Sequence, residues 1–214
     1  MQNALHEYDV LTSCEKLIKI KCFELVSYLD SQTAMKEFVV SRDTEAVDEI
    51  WLLQHPAVYT QGTACKEETL AGSDIPIVKS DRGGQITYHG PGQIIMYPLL
   101  KLKRYNLGVK SLVQKLEQSV MDLLTSYGIE SHRRQDAPGV YVNKAKISAL
   151  GLRIRRGSSY HGLSFNINMD LQPFNNIHPC GYEGLTVIQL SDLVENYDLN
   201  KVQEQLVKGF VSLI

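Results

Sequence analysis

Cys180 is the first residue in this sequence that could do chemistry, set in His178-Pro179-Cys180-Gly181-Tyr182. Pro179 fixes its own φ and biases His178 towards extended backbone, while Gly181 permits a turn and the close approach of another group. A sulfur held at such a turn can be presented to an electrophile; the plain alternative is a small buried hydrophobe, the usual fate of a lone cysteine. A free thiol titrates near about 8.5, so a nucleophile needs a cationic neighbour that holds it as thiolate. Lys146 heads the apolar run Ile147-Ser148-Ala149-Leu150 and would supply that cation if it points inward. A solvated lysine at a strand end is the ordinary alternative. His178 would face the same side of an extended backbone as Cys180 and is a rival base, and His89 and His161 are others. The residues alone leave that choice open.

The densest glycine region runs from Ser80 to Gln93, Ser-Asp-Arg-Gly-Gly-Gln-Ile-Thr-Tyr-His-Gly-Pro-Gly-Gln. It lacks the G-K-[ST] ending of a phosphate-cradling loop and the glycine spacing of a dinucleotide site. Its glycines would let a ligand lie on bare backbone with Arg82 as a charged donor, or would simply turn two hairpins. Arg153, Arg155 and Arg156, with Arg133 and Arg134, form the basic concentration of the chain. A solvated face explains them, and so does docking of an acidic protein. Without aromatic interleaving, a nucleic-acid groove is disfavoured.

These groups sit in a chain of 214 residues with formal net charge -2, which has no global attraction to nucleic acid or anionic membrane. Apolar residues at 43% and charged residues at 21% are a globular balance. The four cysteines, Cys14, Cys22, Cys65 and Cys180, form no C-x-x-C pair and no zinc-like spacing, which points to free thiols in a reducing compartment. With no basic and apolar leader and no long apolar run, a cytoplasmic protein away from membranes is expected.

Periodicity predicts an amphipathic helix over about Cys14–Leu29, one from Val109 to Leu124 that stops at Gly128, and a third from Asn200 to Leu213. Strands are predicted at Glu49–Leu53, Ile75–Val78, Gln93–Tyr97, Gly139–Val142, Lys146–Leu150, Leu152–Arg155 and Leu163–Asn168. Helices grouped around a run of strands give an α+β class rather than alternating βαβ units.

Read in order, Asp48-Glu49-Ile50-Trp51-Leu52-Leu53-Gln54-His55-Pro56, the segment Ser80 to Gln93, Asp136-Ala137-Pro138-Gly139-Val140-Tyr141-Val142, Lys146-Ile147 through Gly151-Leu152-Arg153-Ile154-Arg155-Arg156-Gly157, His161-Gly162-Leu163 with Asn166-Ile167-Asn168, and Pro179-Cys180-Gly181-Tyr182 together resemble the lipoyl(octanoyl) transferase family. Its members are octanoyl-[acyl carrier protein]:protein N-octanoyltransferases, and the match is strongest over residues 48–190. The resemblance implies one catalytic domain, 1–214, similar to that of biotin and lipoate protein ligases: α+β, a mixed, largely antiparallel sheet with flanking helices on one side. It implies that Cys180 carries the acyl thioester and that Lys146 lowers the thiol pKa and moves protons. It also implies three substrate-lining segments. The first is Arg82, Gly83, Gly84, Gln85, Ile86, Thr87, Tyr88 and His89; the second Ala149, Leu150 and Gly151; the third Gly162, Leu163 and Ser164.

The octanoyl donor would be acyl carrier protein, whose phosphopantetheine arm arrives with it. The acceptors would be lipoyl domains of 2-oxoacid dehydrogenases and the glycine cleavage H protein. No ATP, metal or other cofactor is then required, and no nucleic acid or membrane takes part. His178 stands where many members have asparagine, which favours Lys146 as the family base. Alternatives are an ATP-dependent lipoate or biotin ligase of the same fold, transfer between two lipoyl domains, and a non-catalytic acyl-binding module.

Overall fold

The stretch Leu17-Ile18-Lys19-Ile20-Lys21-Cys22 alternates apolar and charged residues, and it forms a strand where a helix was expected. Two lysines among isoleucines fit a period of 3.6 and a period of 2 almost equally, and the β-branched residues decide for the strand. In the computed structural model, which describes residues 4–65, 74–177 and 186–214, β1 (His6–Leu11) and β2 (Leu17–Leu25) make an antiparallel hairpin. Ile18, Ile20 and Cys22 turn into the core and Lys19 and Lys21 outward. The first helix, α1 (Tyr28–Ser41), begins only beyond the hairpin. Its buried face is Tyr28, Ser31, Gln32, Met35 and Val39, and the two polar residues there mask the apolar stripe.

Then come β3 (Asp48–Gln54), β4 (Val58–Gln61), β5 (Ile77–Lys79), β6 (Ile86–His89) and β7 (Gln93–Leu99). After a 3-10 turn at Leu102–Tyr105 follow α2 (Val109–Ser126), β8 (His132–Arg133), β9 (Gly139–Val142), β10 (Ala145–Arg155), β11 (Ser158–Asn166) and finally α3 (Leu199–Ser212). Eight strands form one sheet in the order β1-β2-β3-β7-β11-β10-β9-β8, antiparallel except between β2 and β3. A small second sheet runs β5-β4-β6. The two strands expected at Lys146–Leu150 and Leu152–Arg155 are a single strand, β10, because Gly151 pairs with Gly162 of β11 rather than turning the chain.

Strands β3 and β7 are apolar at successive positions, so both faces of the sheet need cover. Ile50, Leu52, Ile94 and Met96 pack under α2 and α3, while Trp51, Leu53, Ile95 and Tyr97 pack against Met35 and Val39 of α1. The helices therefore lie on both faces, not on one side as the resemblance implied. Among the described residues, no helix is long and apolar enough to cross a membrane.

Candidate functional site

Segment 80–89 lies beside the middle of β10 and β11, and a cleft partly open to solvent runs between them. Of the expected lining residues, Arg82, Gly84, Gln85, Ile86, Thr87, His89, Ala149, Leu150, Gly151, Gly162, Leu163 and Ser164 border it. Gly83 and Tyr88 lie behind this wall. Gly83 donates its N–H to Leu152 carbonyl (3.0 Å), and Tyr88 packs edge-on against Phe174 (5.4 Å between ring centroids). Gly162 is required by closeness to β7: a Cβ there would sit 2.0 Å from Met96 O and 2.7 Å from Pro98 Cδ. Arg82 borders the cleft, yet three of its contacts turn inward. It donates from Nε and Nη2 to Thr60 Oγ1 (3.2 and 2.8 Å) and from Nη1 to Gly83 O (2.9 Å), pinning the glycine segment to β4.

Lys146 points inward and is 3% exposed. Its Nζ donates to Pro138 O (3.1 Å) and lies 5.1 Å from the centre of the Tyr141 ring. A register shift between Lys146 and Ser148 marks a bulge against β9, a device that re-aims side chains beside functional sites. The backbone of Lys146 pairs with the chain returning at residue 186: its N–H donates to Thr186 O (2.9 Å) and its carbonyl accepts from Ile188 N–H (3.0 Å). Cys180 and His178 lie outside the described residues. Of the other thiols, Cys14 is exposed and Cys22 is buried on β2, its pKa pushed up to about 11 by burial, which makes it a poor nucleophile. Cys65 packs beside the cluster of Tyr59, Ile86 and Tyr88.

The sequence named His89 and His161 as candidate bases but did not single out the rest of the aromatic and polar end of the cleft. Tyr28 stacks between His89 (5.9 Å) and His161 (6.3 Å), and its hydroxyl meets Ser80 Oγ (2.6 Å). His55 donates Nδ1–H to Val26 O (2.6 Å) and accepts the Tyr97 hydroxyl at Nε2 (2.8 Å). His89 donates to Gln93 Oε1 (2.7 Å), Gln93 to Asn166 Oδ1 (2.8 Å), and Asn166 to Ile188 O (3.1 Å), linking β6 to the chain beside Lys146. Tyr160 and His161 both reach Asp81, at 2.6 and 2.9 Å. Adjacent strand residues normally face opposite sides; the left-handed φ of His161, +56°, turns both the same way. Such backbone costs about 1–3 kcal/mol and concentrates at functional sites. The usable sequence signals were a histidine before Gly162 and an aspartate before Arg82, both mid-motif.

Burial keeps these imidazoles neutral. It lowers His55 to about 4, sets His89 well below its ordinary value and lowers His161, although Asp81 pulls the last back up. An unfolded histidine binds its proton near about 6.5, so acid favours unfolding as pH falls from there towards 4. His55 alone is expected to remove about 3 kcal/mol across that window. Asp81, held below its ordinary range mainly by His161 and Tyr160 against the effect of burial, loses its contribution only in stronger acid. Urea unfolding between pH 7 and 4.5 should show this slope. A flat profile would mean that these rings are not buried as neutral groups.

A family model described as the lipoyl protein ligase A/B catalytic domain matches residues 27–211. The chain is 52% identical over 196 residues to an octanoyltransferase of Photorhabdus laumondii, covering 91% of this chain and 92% of that one. It is 51% identical over 201 residues to an octanoyltransferase of Hahella chejuensis, covering 94% and 89%. In fold it is similar to a crystal structure of lipoate-protein ligase A bound with ATP, at TM-score 0.71 and 13% identity over 89% of this chain and 83% of that one. It is also similar to biotin protein ligase from Aquifex aeolicus, at TM-score 0.54 and 14% identity over 89% and 66%. With a buried lysine on the wall of a cleft bordered by the glycine segment, and with half its residues identical to octanoyltransferases along nearly its whole length, the chain belongs to the lipoyl(octanoyl) transferase family of lipoyl protein ligase A/B catalytic domains.

Proposed function

We propose that the protein carries octanoyl from acyl carrier protein to the target lysine of a lipoyl domain, through a thioester on Cys180. The observation that carries this reading is Lys146. A buried lysine stands on the wall of a cleft that Ile86, Ile95, Leu150, Leu163 and bare glycine backbone border together with polar groups such as Arg82, Thr87 and His89. That surface suits a hydrocarbon tail, and the cation suits a thiolate at the reacting end.

In the first half-reaction the Cys180 thiolate attacks the thioester carbonyl, the carbon–sulfur bond to phosphopantetheine breaks, and Lys146 gives its proton to the departing sulfur. In the second, the acceptor lysine amine attacks the acyl-enzyme. An amide forms, the bond to Cys180 breaks, and the amine proton passes to Lys146, restoring thiolate and ammonium. One thioester replaces another before the amide forms, so the chemistry needs no ATP, and splitting the transfer in two gives ping-pong kinetics.

Intact mass spectrometry after mixing with octanoyl carrier protein should find one added octanoyl group, mapped to the peptide of Cys180. Modification of lipoyl domain by free octanoate and ATP, without acyl-enzyme, would favour a ligase instead.

The carrier's docking surface is assigned to the exposed arginines Arg153 and Arg155, which share one face of β10 just beyond the lining residues Ala149 to Gly151. An acidic carrier is steered by such a patch. Reversing both to Glu should raise KM for the carrier by about tenfold and flatten its salt dependence, with transfer from a small octanoyl thioester unchanged. An unchanged KM would show that the carrier lands elsewhere.

A further inference from the structure

Helix α2 buries a carboxylate. Glu117 lies among Leu116, Val120 and Leu124 at 3% exposure, where an isolated charge is costly unless it is paired or hydrogen-bonded. Its Oε1 accepts the Gly139 N–H (3.0 Å), and its Oε2 lies 3.6 Å from Arg133 Nε. The carbonyl just before Gly139 is that of Pro138, the acceptor of Lys146 Nζ. Tyr141 ties the same turn from the other side, donating its hydroxyl to Ala137 O (2.7 Å) while its ring underlies the Lys146 ammonium. Gly139 has φ +145°, and a Cβ there would meet Ser148 O at 2.5 Å and Lys146 Nζ at 3.2 Å. The turn is thus pressed against the lysine, and Glu117 anchors it from behind.

We infer that Glu117 is a positioning residue for Lys146, holding the Ala137–Gly139 turn that receives the ammonium and placing a negative charge behind it. The inference rests on the transfer role proposed above for Lys146. Burial pushes the Glu117 carboxyl up, and the Gly139 N–H, Arg133 and Lys146 each draw it back down, so carboxylate and ammonium are electrostatically linked. Asp136, which precedes the turn, pairs with Arg134 (2.6 Å).

The test compares Glu117→Gln, Glu117→Ala and Arg133→Gln in the full chain by steady-state transfer from octanoyl carrier to lipoyl domain. Glu117→Gln still accepts from Gly139 but has lost its charge. It should keep KM and thermal midpoint near those of the parent while kcat falls about tenfold. Glu117→Ala also frees the turn, and kcat should fall by about a hundredfold. Arg133→Gln removes the other cation on the carboxylate and should leave kcat close to that of the parent. A parental kcat in both Glu117 variants overturns the inference, and so does an Arg133→Gln loss as large as that of Glu117→Gln, which would place the effect at the sheet edge. Lys146→Ala is run alongside. If it transfers normally, the lysine's own role fails; if it is dead while both Glu117 variants are parental, only the present inference fails.

Discussion

Lys146→Ala is expected to lower octanoyl transfer by about a hundredfold to ten-thousandfold, the range lost when a positioned acid–base group is removed. The reason is physical rather than positional. In the proposed mechanism the ammonium holds the Cys180 thiol as thiolate and protonates the leaving sulfur; a thiol without such a neighbour is only a few per cent ionised at neutral pH, and the leaving group then lacks a proton donor. Lys146→Arg should rescue little. A planar guanidinium always carries its charge, so it can offset a thiolate but cannot pass a proton. Cys180→Ser should form no acyl-enzyme, whereas Cys14→Ser and Cys65→Ser retain it. Single-turnover kinetics with octanoyl carrier protein, read by mass, separates these cases. Full acylation of Lys146→Ala at the parental rate would remove the lysine from the chemistry.

The second large effect concerns stability. Asp48, at the start of β3, is fully buried. It receives Arg42 Nη2 (2.7 Å), Arg104 Nη1 (3.1 Å), the Tyr105 hydroxyl (2.8 Å) and the Lys101 N–H (2.8 Å). One carboxylate thereby ties the end of α1, the first residue of β3 and the 3-10 turn after β7. The Arg42 side chain is itself only 3% exposed, so Asp48→Ala strands a buried cation together with a hydroxyl and a backbone N–H. Breaking one side of such a pair costs about 3–5 kcal/mol. For a domain of this size that lowers the thermal midpoint by about 10 °C. Urea titration should show the midpoint falling at constant slope, with the folded fraction still active because Asp48 does not border the cleft. A loss below about 1 kcal/mol would place this network with surface ion pairs, which contribute little.

Asp48 also shows what a sequence conceals. It stands at the head of a readable strand, Glu49-Ile50-Trp51-Leu52-Leu53, yet apart from Arg42 its partners, Lys101, Arg104 and Tyr105, lie far from it in the chain. Glu117 is similar. The apolar stripe of α2 was legible from Val109 to Leu124, and a glutamate on that stripe was a visible anomaly. Its meaning depended on Gly139, which no local pattern connects to it. The β1–β2 hairpin is hidden in the sequence because two periods fit one short lysine-rich run, and α1 is hidden because Ser31 and Gln32 occupy its buried face. Those two polar residues are there to serve the cleft wall: Gln32 Nε2 donates to Ser80 Oγ and Asp81 Oδ1, both at 3.3 Å, and Ser31 Oγ to Tyr28 O at 2.8 Å.

The amino-acid order by itself determined the chemistry-bearing residue types, the helices α2 and α3, most strands and the likeness to a family, because periodicity, turn residues and ordered motifs are local properties of a chain. The meeting of β6, β10 and β11 at one cleft was decided by the tertiary structure, as were the inward turn of Lys146, the aromatic end built on Tyr28 and the support from Glu117. Each of these joins segments far apart in sequence, where contact is set by sheet order and packing and leaves no periodic trace.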